Sequence, residues 1–303
     1  MDIVATGLRF PEGPVALADG SVVLVEIARG TVTKVAADGT VSVVAEPGGG
    51  PNGLAVGPDG AYYLCNNGGF AWRDEAGVLR PVGSAPDYSG GRIERIDAQT
   101  GDVTVLYADC DGHALRGPND IVFDAEGGFY FSDLGKVRAR DRDHGGLYYA
   151  RADGTRIVEV AYPVLTPNGV GLSPDGRVLY AAETETARLW AWDITTPGVV
   201  AKRPFPSPHG GRLVCGLPGF QRFDSLALTA SGDICVATLM TGCITQISPD
   251  GRVVRTQATP DIYVTNICFG GPGMRTAWLT LSGAGQLART QWPEPGLRLN
   301  HQA

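Results

Sequence analysis

Apolar residues recur along this chain in short alternating runs, and six stretches share one pattern. They read PEGPVALADGSVVLVE from Pro11, PNGLAVGPDGAYYLCN from Pro51, PNDIVFDAEGGFYFSD from Pro118, PNGVGLSPDGRVLYAAE from Pro167, FDSLALTASGDICVAT from Phe223 and TNICFGGPGMRTAWLT from Thr265. Each carries a polar head, an alternating apolar run, a turn built on Asp-Gly or Gly, and a second apolar run, which is the pattern of a β-hairpin. Between them lie GTVTKVAADGTVSVV, GGRIERIDAQTGDVTVL, GGLYYARADGTRIVEV, ARLWAWDI and GCITQISPDGRVVRT, which predict a third and fourth strand for these units.

A four-stranded antiparallel sheet with two apolar faces cannot bury both alone. Six such sheets packed radially cover one another and leave only short edges. The pattern therefore predicts an all-β, six-bladed β-propeller around a central channel, a single domain over residues 1–303. MDIVATG, ahead of the first hairpin, is expected to supply the outer strand of the last blade and close the ring. The polar heads are Glu12, Asn52, Asn119, Asn168, Asp224 and Asn266, at uneven intervals of 40 to 67 residues, so loops are inserted on a common frame. The longest insertion, between Asn66 and Arg92, carries Phe70, Trp72 and Tyr88 and reads as a binding loop, a lid or an Ω-like flap. A Pro- and Gly-rich stretch from Arg203 to Arg222 is expected on the same rim.

Composition narrows the function classes. The 303 residues include 43 Gly and 21 Pro, are 43% hydrophobic and 19% charged, and hold no apolar run near the ~20 residues a membrane helix needs. A net charge of -7 and the lack of extended Lys/Arg clusters argue against a nucleic-acid partner. The start MDIVATGLRF has no basic segment followed by an apolar core, so a cytoplasmic location is expected. Six dispersed cysteines with no C-x-x-C pair read as buried free thiols.

If the six hairpins are equivalent, their heads converge at one end of the channel. Glu12, Asn119, Asn168 and Asp224 offer the oxygen atoms that a hard divalent cation such as Ca²⁺ takes. Zinc is disfavoured because His113, His144, His209 and His301 show no metal-ligand spacing. DCDGH from Asp109 and DRDHGG from Asp141 do not continue as EF-hand loops, and no phosphate-cradling loop is present. Asn52 and Asn266 also read as Asx residues that hold the start of a strand. Glu12 does not, since a lone buried carboxylate is costly unless paired or metal-bound.

At these residues the sequence resembles the senescence marker protein/gluconolactonase family, which includes regucalcin-like lactonases and is similar in architecture to diisopropyl fluorophosphatase. The resemblance rests on EGP at Glu12, GPNDIVFDAEGGFYFSD around Asn119, TPNGVGLSPDGRVLYAAET around Asn168, the Asp224 segment and TNICFGGPGMRTAWLT. It implies one catalytic divalent metal, Ca²⁺ first and Mg²⁺, Mn²⁺ or Zn²⁺ as alternatives, bound by Glu12, Asn168 and Asp224, with Asn119 as further ligand or substrate contact. The expected activity is lactone hydrolysis, with Asp224 as general base or nucleophile and Asn119 and Asn168 orienting the substrate. Asn52, Arg116, Phe70 and Trp72 are the candidate substrate contacts. The alternatives are a phosphotriesterase-like hydrolase and a non-catalytic binding propeller. Two positions depart from the family pattern: FDS at Phe223 to Ser225 replaces PDG, and Gly117 stands where sugar-lactone members often carry Arg. These departures leave room for a more apolar lactone.

Overall fold

The structure, a computed structural model, describes residues 1–302. Six antiparallel sheets form the blades of a propeller, and their innermost strands are Pro11–Ala16, Pro51–Val56, Pro118–Phe123, Pro167–Leu172, Arg222–Leu228 and Val264–Gly270. Neighbouring inner strands touch in that order, and the sixth returns to the first. The ring is closed as anticipated: Asp2–Ala5 pairs with Gln286–Gln291 as the outermost strand of blade 6. Both faces of each sheet are covered, which is why Val22–Glu26 is buried along its whole length.

The core is divided into six clusters, one at each blade-to-blade contact. Tyr63, Cys65 and Ile93 of blade 2 meet Phe123, Phe129 and Phe131 of blade 3. Leu24 and Val35 of blade 1 meet Trp278 and Leu287 of blade 6. Each fully buried aliphatic or aromatic side chain contributes about 1.5–3 kcal/mol, but only when the next blade is present to cover it. Five of the six cysteines are buried free thiols, and Cys215 is partly exposed.

Two insertions differ from expectation. The stretch between Asn66 and Arg92 is neither a bare loop nor an Ω-like flap; it contains a β-hairpin, Phe70–Glu75 paired with Val78–Ser84. This hairpin lies across the head end of the ring. Leu79 donates its N–H to Gly283 O in blade 6, and Ser84 donates to Val137 O in blade 3. Trp72 rests on Phe10, just ahead of blade 1, with ring centroids 5.0 Å apart. The segment from Arg203 instead runs along the outside of blade 4, where Arg212–Gly216 pairs with Arg188–Ala191 and His209 packs against Trp190 and Trp192. The expected rim position holds only for its last residues, because unused backbone groups on the third strand of blade 4 capture the rest.

Lys136 of blade 3 holds the base of the hairpin. Its buried Nζ donates to Asn67 Oδ1 (3.1 Å) and Gly69 O (3.0 Å) and lies 4.3 Å from the Phe70 ring centroid. Burial pushes its amine down to about 7, against the pull of Asp133 and Asp143.

Inner strands approach one another closely at the heads. A Cβ on Gly13 would lie 2.5 Å from Asn52 O, and φ there is +51°; a Cβ on Gly169 would lie 2.7 Å from Leu226 N and 2.8 Å from Asp224 O.

Two outcomes are expected. G13A combines strain with a clash against backbone and should lower unfolding free energy by about 3 kcal/mol or more in urea titrations; unchanged stability would show that the contact is not limiting. Because the unfolded lysine titrates near 10.4, the unfolded chain binds more protons than the folded one between roughly pH 7 and 10. Lys136 therefore makes stability rise with pH across pH 7 to 9, by at most about 1.4 kcal/mol per unit. K136M should flatten that rise relative to wild type, and parallel pH profiles of the two proteins would refute it.

Candidate functional site

The same local irregularity places all six heads. Each inner strand loses register with its neighbour beside its head, between Glu12 and Val15, Pro51 and Leu54, Pro118 and Ile121, Pro167 and Val170, Phe223 and Leu226, and Val264 and Asn266. Such bulges re-aim side chains away from the regular pleat. All six head residues are buried.

Glu12 is held by two donors. Its Oε2 accepts from Asn266 Nδ2 at 2.7 Å and from Gly13 N at 2.6 Å. Asn266 is thus more than a turn residue: its Oδ1 accepts Ile267 N while its amide group carries Glu12. Asn168 Nδ2 donates to Thr184 Oγ1 at 3.1 Å, and its Oδ1 accepts from Ser225 Oγ at 3.4 Å.

Burial, reinforced by charge repulsion, dominates the electrostatics of the site. Burial and then the Glu12 carboxylate push Asp224 well above the usual carboxylate range, while bonds from Asn168 and Ser225 oppose the shift. Burial likewise raises Glu12, against the hydrogen bonds from Asn266 and Gly13. Two carboxylates facing each other away from water are stabilised by a positive charge between them.

The sequence reading missed a third carboxylate. Asp120 follows head Asn119 at the place where Gly13 and Gly169 follow theirs, and burial followed by the charge of Glu12 pushes it up to about 8. Asp120 Oδ2 accepts Val170 N of the next blade at 3.0 Å, and Asp120 N donates to Ser132 Oγ, which donates to Asn168 O at 2.5 Å. The available signal was an acid interrupting the glycine pattern behind the heads. Below Asp120, Gly13 and Asn266, a cavity of about 680 Å³ continues along the channel to Leu297–Asn300 at the far end.

The donor set suits a hard cation. Asn119 Oδ1 is buried and has no hydrogen-bond partner among the described residues, an uncompensated acceptor of the kind an ion satisfies. Among the described residues no three His, Cys, Asp or Glu side chains are grouped to hold an ion by themselves, so a cation here depends on asparagine oxygens. Oxygen-only donors favour Ca²⁺ or Mg²⁺ over zinc.

The candidate substrate contacts are less uniform. Asn52 belongs to the ring of heads, whereas Phe70 and Trp72 are part-buried in the hairpin and packed on Lys136 and Phe10. Arg116 has an exposed side chain in no ion pair among the described residues, while its backbone N–H is fixed by Asp133 Oδ2 and its carbonyl by Tyr88. No helix among the described residues is long and apolar enough to cross a membrane.

Comparison with known proteins matches residues 10–283 to the SMP-30/Gluconolactonase/LRE-like region family model. A gluconolactonase from Zymomonas mobilis is 24% identical over 301 residues, covering 90% of this chain and 76% of that protein. The pentonolactonase XacC of Haloferax volcanii is 30% identical over 168 residues, covering 54% of this chain and 53% of that one. Among solved structures, a gluconolactonase from Xanthomonas campestris superposes with a TM-score of 0.75 at 21% identity, covering 96% and 89% of the two chains. A calcium-binding regucalcin from Agrobacterium tumefaciens superposes with a TM-score of 0.73 at 20% identity, covering 98% and 97%. With its six blades and with the family model spanning most of its length, the chain belongs to the SMP-30/gluconolactonase/LRE-like family.

Proposed function

We propose that this protein is a metal-dependent lactonase, in which Glu12, Asn119, Asn168 and Asp224 hold one divalent cation, Ca²⁺ in preference to Mg²⁺, Mn²⁺ or Zn²⁺. One observation carries the reading: two buried, mutually repelling carboxylates share the ring of heads with an amide oxygen that has no partner among the described residues. The lactonase names among its relatives support the substrate class, and the calcium-binding regucalcin supports the ion.

A divalent cation at this position supplies Lewis-acid polarisation of the lactone carbonyl and stabilises negative charge on its oxygen. The side chains supply the rest. Asp224 accepts the proton of the attacking water as its oxygen bonds to the carbonyl carbon. The ring C–O bond then breaks, and the released oxygen takes that proton back from Asp224 to leave a hydroxy acid. Asn266 and Gly13 N fix the orientation of Glu12, and Thr184 fixes that of Asn168, so the oxygens are set before substrate arrives. The hairpin across the head end limits access of bulk water.

Chelation followed by buffer exchange should abolish hydrolysis of five- and six-membered lactones, and adding back Ca²⁺ should restore it. The melting temperature should fall with chelation, because an ion at a hundred times its Kd stabilises the fold by about 2.7 kcal/mol. An active, equally stable chelated protein would refute the metal. D224N should lower kcat by about 10²-fold or more with little change in KM. Wild-type turnover by D224N would remove Asp224 from the chemistry, and preference for phosphotriesters in the same panel would redirect the reading to that class.

A further inference from the structure

The head end is roofed unevenly. The hairpin spans blades 6 to 3 on one side, while the other side is bordered by Arg142 of blade 3, Glu185 of blade 4 and Arg222 at the start of blade 5. Two guanidinium groups share one carboxylate there: Arg222 Nη2 lies 3.3 Å from Glu185 Oε2 and Arg142 Nη2 lies 3.7 Å from Glu185 Oε1. Neither contact is a two-pronged pair. Among the described residues, Arg222 donates one side-chain hydrogen bond and Arg142 none, although each side chain is only about a third exposed, at 36 and 35%. Asp141 and Asp143 both pair with Arg138, so the three arginines and three acids of this rim balance, and what sets Arg222 and Arg142 apart is guanidinium donors without partners rather than excess charge.

Position ties this rim to the heads. Arg222 stands two residues before Asp224 on the same strand, roughly 7 Å along the backbone. Glu185 is the neighbour of Thr184, which holds Asn168. A guanidinium fork with free donors in a partly desolvated position matches a planar carboxylate better than it matches hydroxyl groups.

We infer that Arg222 and Arg142 are specificity residues for a lactone that carries a carboxylate on its ring, with Glu185 as the internal anion that the substrate carboxylate competes against. The inference rests on the lactonase reading and names its substrate class, a charged lactone in place of the more apolar one that Gly117 and Phe223 to Ser225 left room for.

The test compares a γ-lactone bearing a ring carboxylate with its methyl ester, in the metal-loaded enzyme. Wild type should favour the carboxylate by at least tenfold in kcat/KM. R222Q and R142Q should each reduce that preference about tenfold, mainly through KM, whereas E185Q should raise it by removing the competing anion. A purely structural ion pair would make E185Q and R222Q shift the preference in the same direction, which would overturn the inference. Equal turnover of ester and carboxylate by wild type would overturn it too, while leaving the lactonase reading standing. A calorimetric titration with tetrahydrofuran-2-carboxylate and its carboxamide separates the two claims. Carboxylate binding that R222Q weakens tenfold or more supports the arginine site even if no lactone is opened, and equal binding of acid and amide refutes it.

Discussion

The close approach of neighbouring inner strands is the constraint on which the rest depends. At Gly13 and Gly169 the backbone of one blade presses against the head of the next with no room for a side chain. Six wedges packed this tightly leave a narrow channel, and heads that bulge from their ladders turn toward it together. Ring closure by Asp2–Ala5 transmits the same packing to blade 6, so Asn266 reaches Glu12 across a separation of 254 residues.

Bringing the heads together concentrates charge. Glu12, Asp120 and Asp224 come from three different blades, so no local stretch of sequence carries the cost of their repulsion; the assembled ring does. Asp120 shows how the frame accommodates the extra acid. Its carboxylate caps the N–H of Val170 on the neighbouring blade, so it serves as an inter-blade contact as well as a source of field. A cation in the ring would relieve the repulsion and strengthen the packing at once, and metal affinity and fold stability then share one set of contacts.

Much of this was legible in the sequence because it is periodic. Alternation, Asp-Gly turns and a recurring polar head specify hairpins, and the MDIVATG strand followed from counting what the last blade lacked. The glutamate at position 12 was informative because it broke a pattern of Asn and Asp. Asp120 was overlooked for the opposite reason: next to Asn119 it looked like part of one polar head, and only the neighbouring strand reveals that it faces Glu12. The insertions were the least legible. Whether Phe70 and Trp72 become a loop or a hairpin is decided by Gly283, Val137 and Lys136, which lie in other blades. The path from Arg203 was drawn aside by the free edge of a strand, Arg188–Ala191, that precedes it in sequence.

Those insertions divide the labour within the fold. The blades and heads are repeated units whose geometry follows from packing, and they supply the oxygen atoms that any ester-opening chemistry here would use. The connections at the head end follow no repeat, and they differ from blade to blade: a packed aromatic hairpin from blade 2, a buried lysine from blade 3, and a glutamate between two arginines from blades 3 to 5. Lys136 and Arg222 illustrate the difference in kind. Both are basic side chains at the head end, but the lysine spends its donors on Asn67 and Gly69 and fastens the roof, whereas the arginine, two residues before Asp224, keeps most of its donors uncommitted. A donor already satisfied by the protein adds rigidity, and one left unsatisfied in a partly desolvated place adds recognition. On that physical ground the roofed side of the mouth would shape the site and the open side would select what enters it.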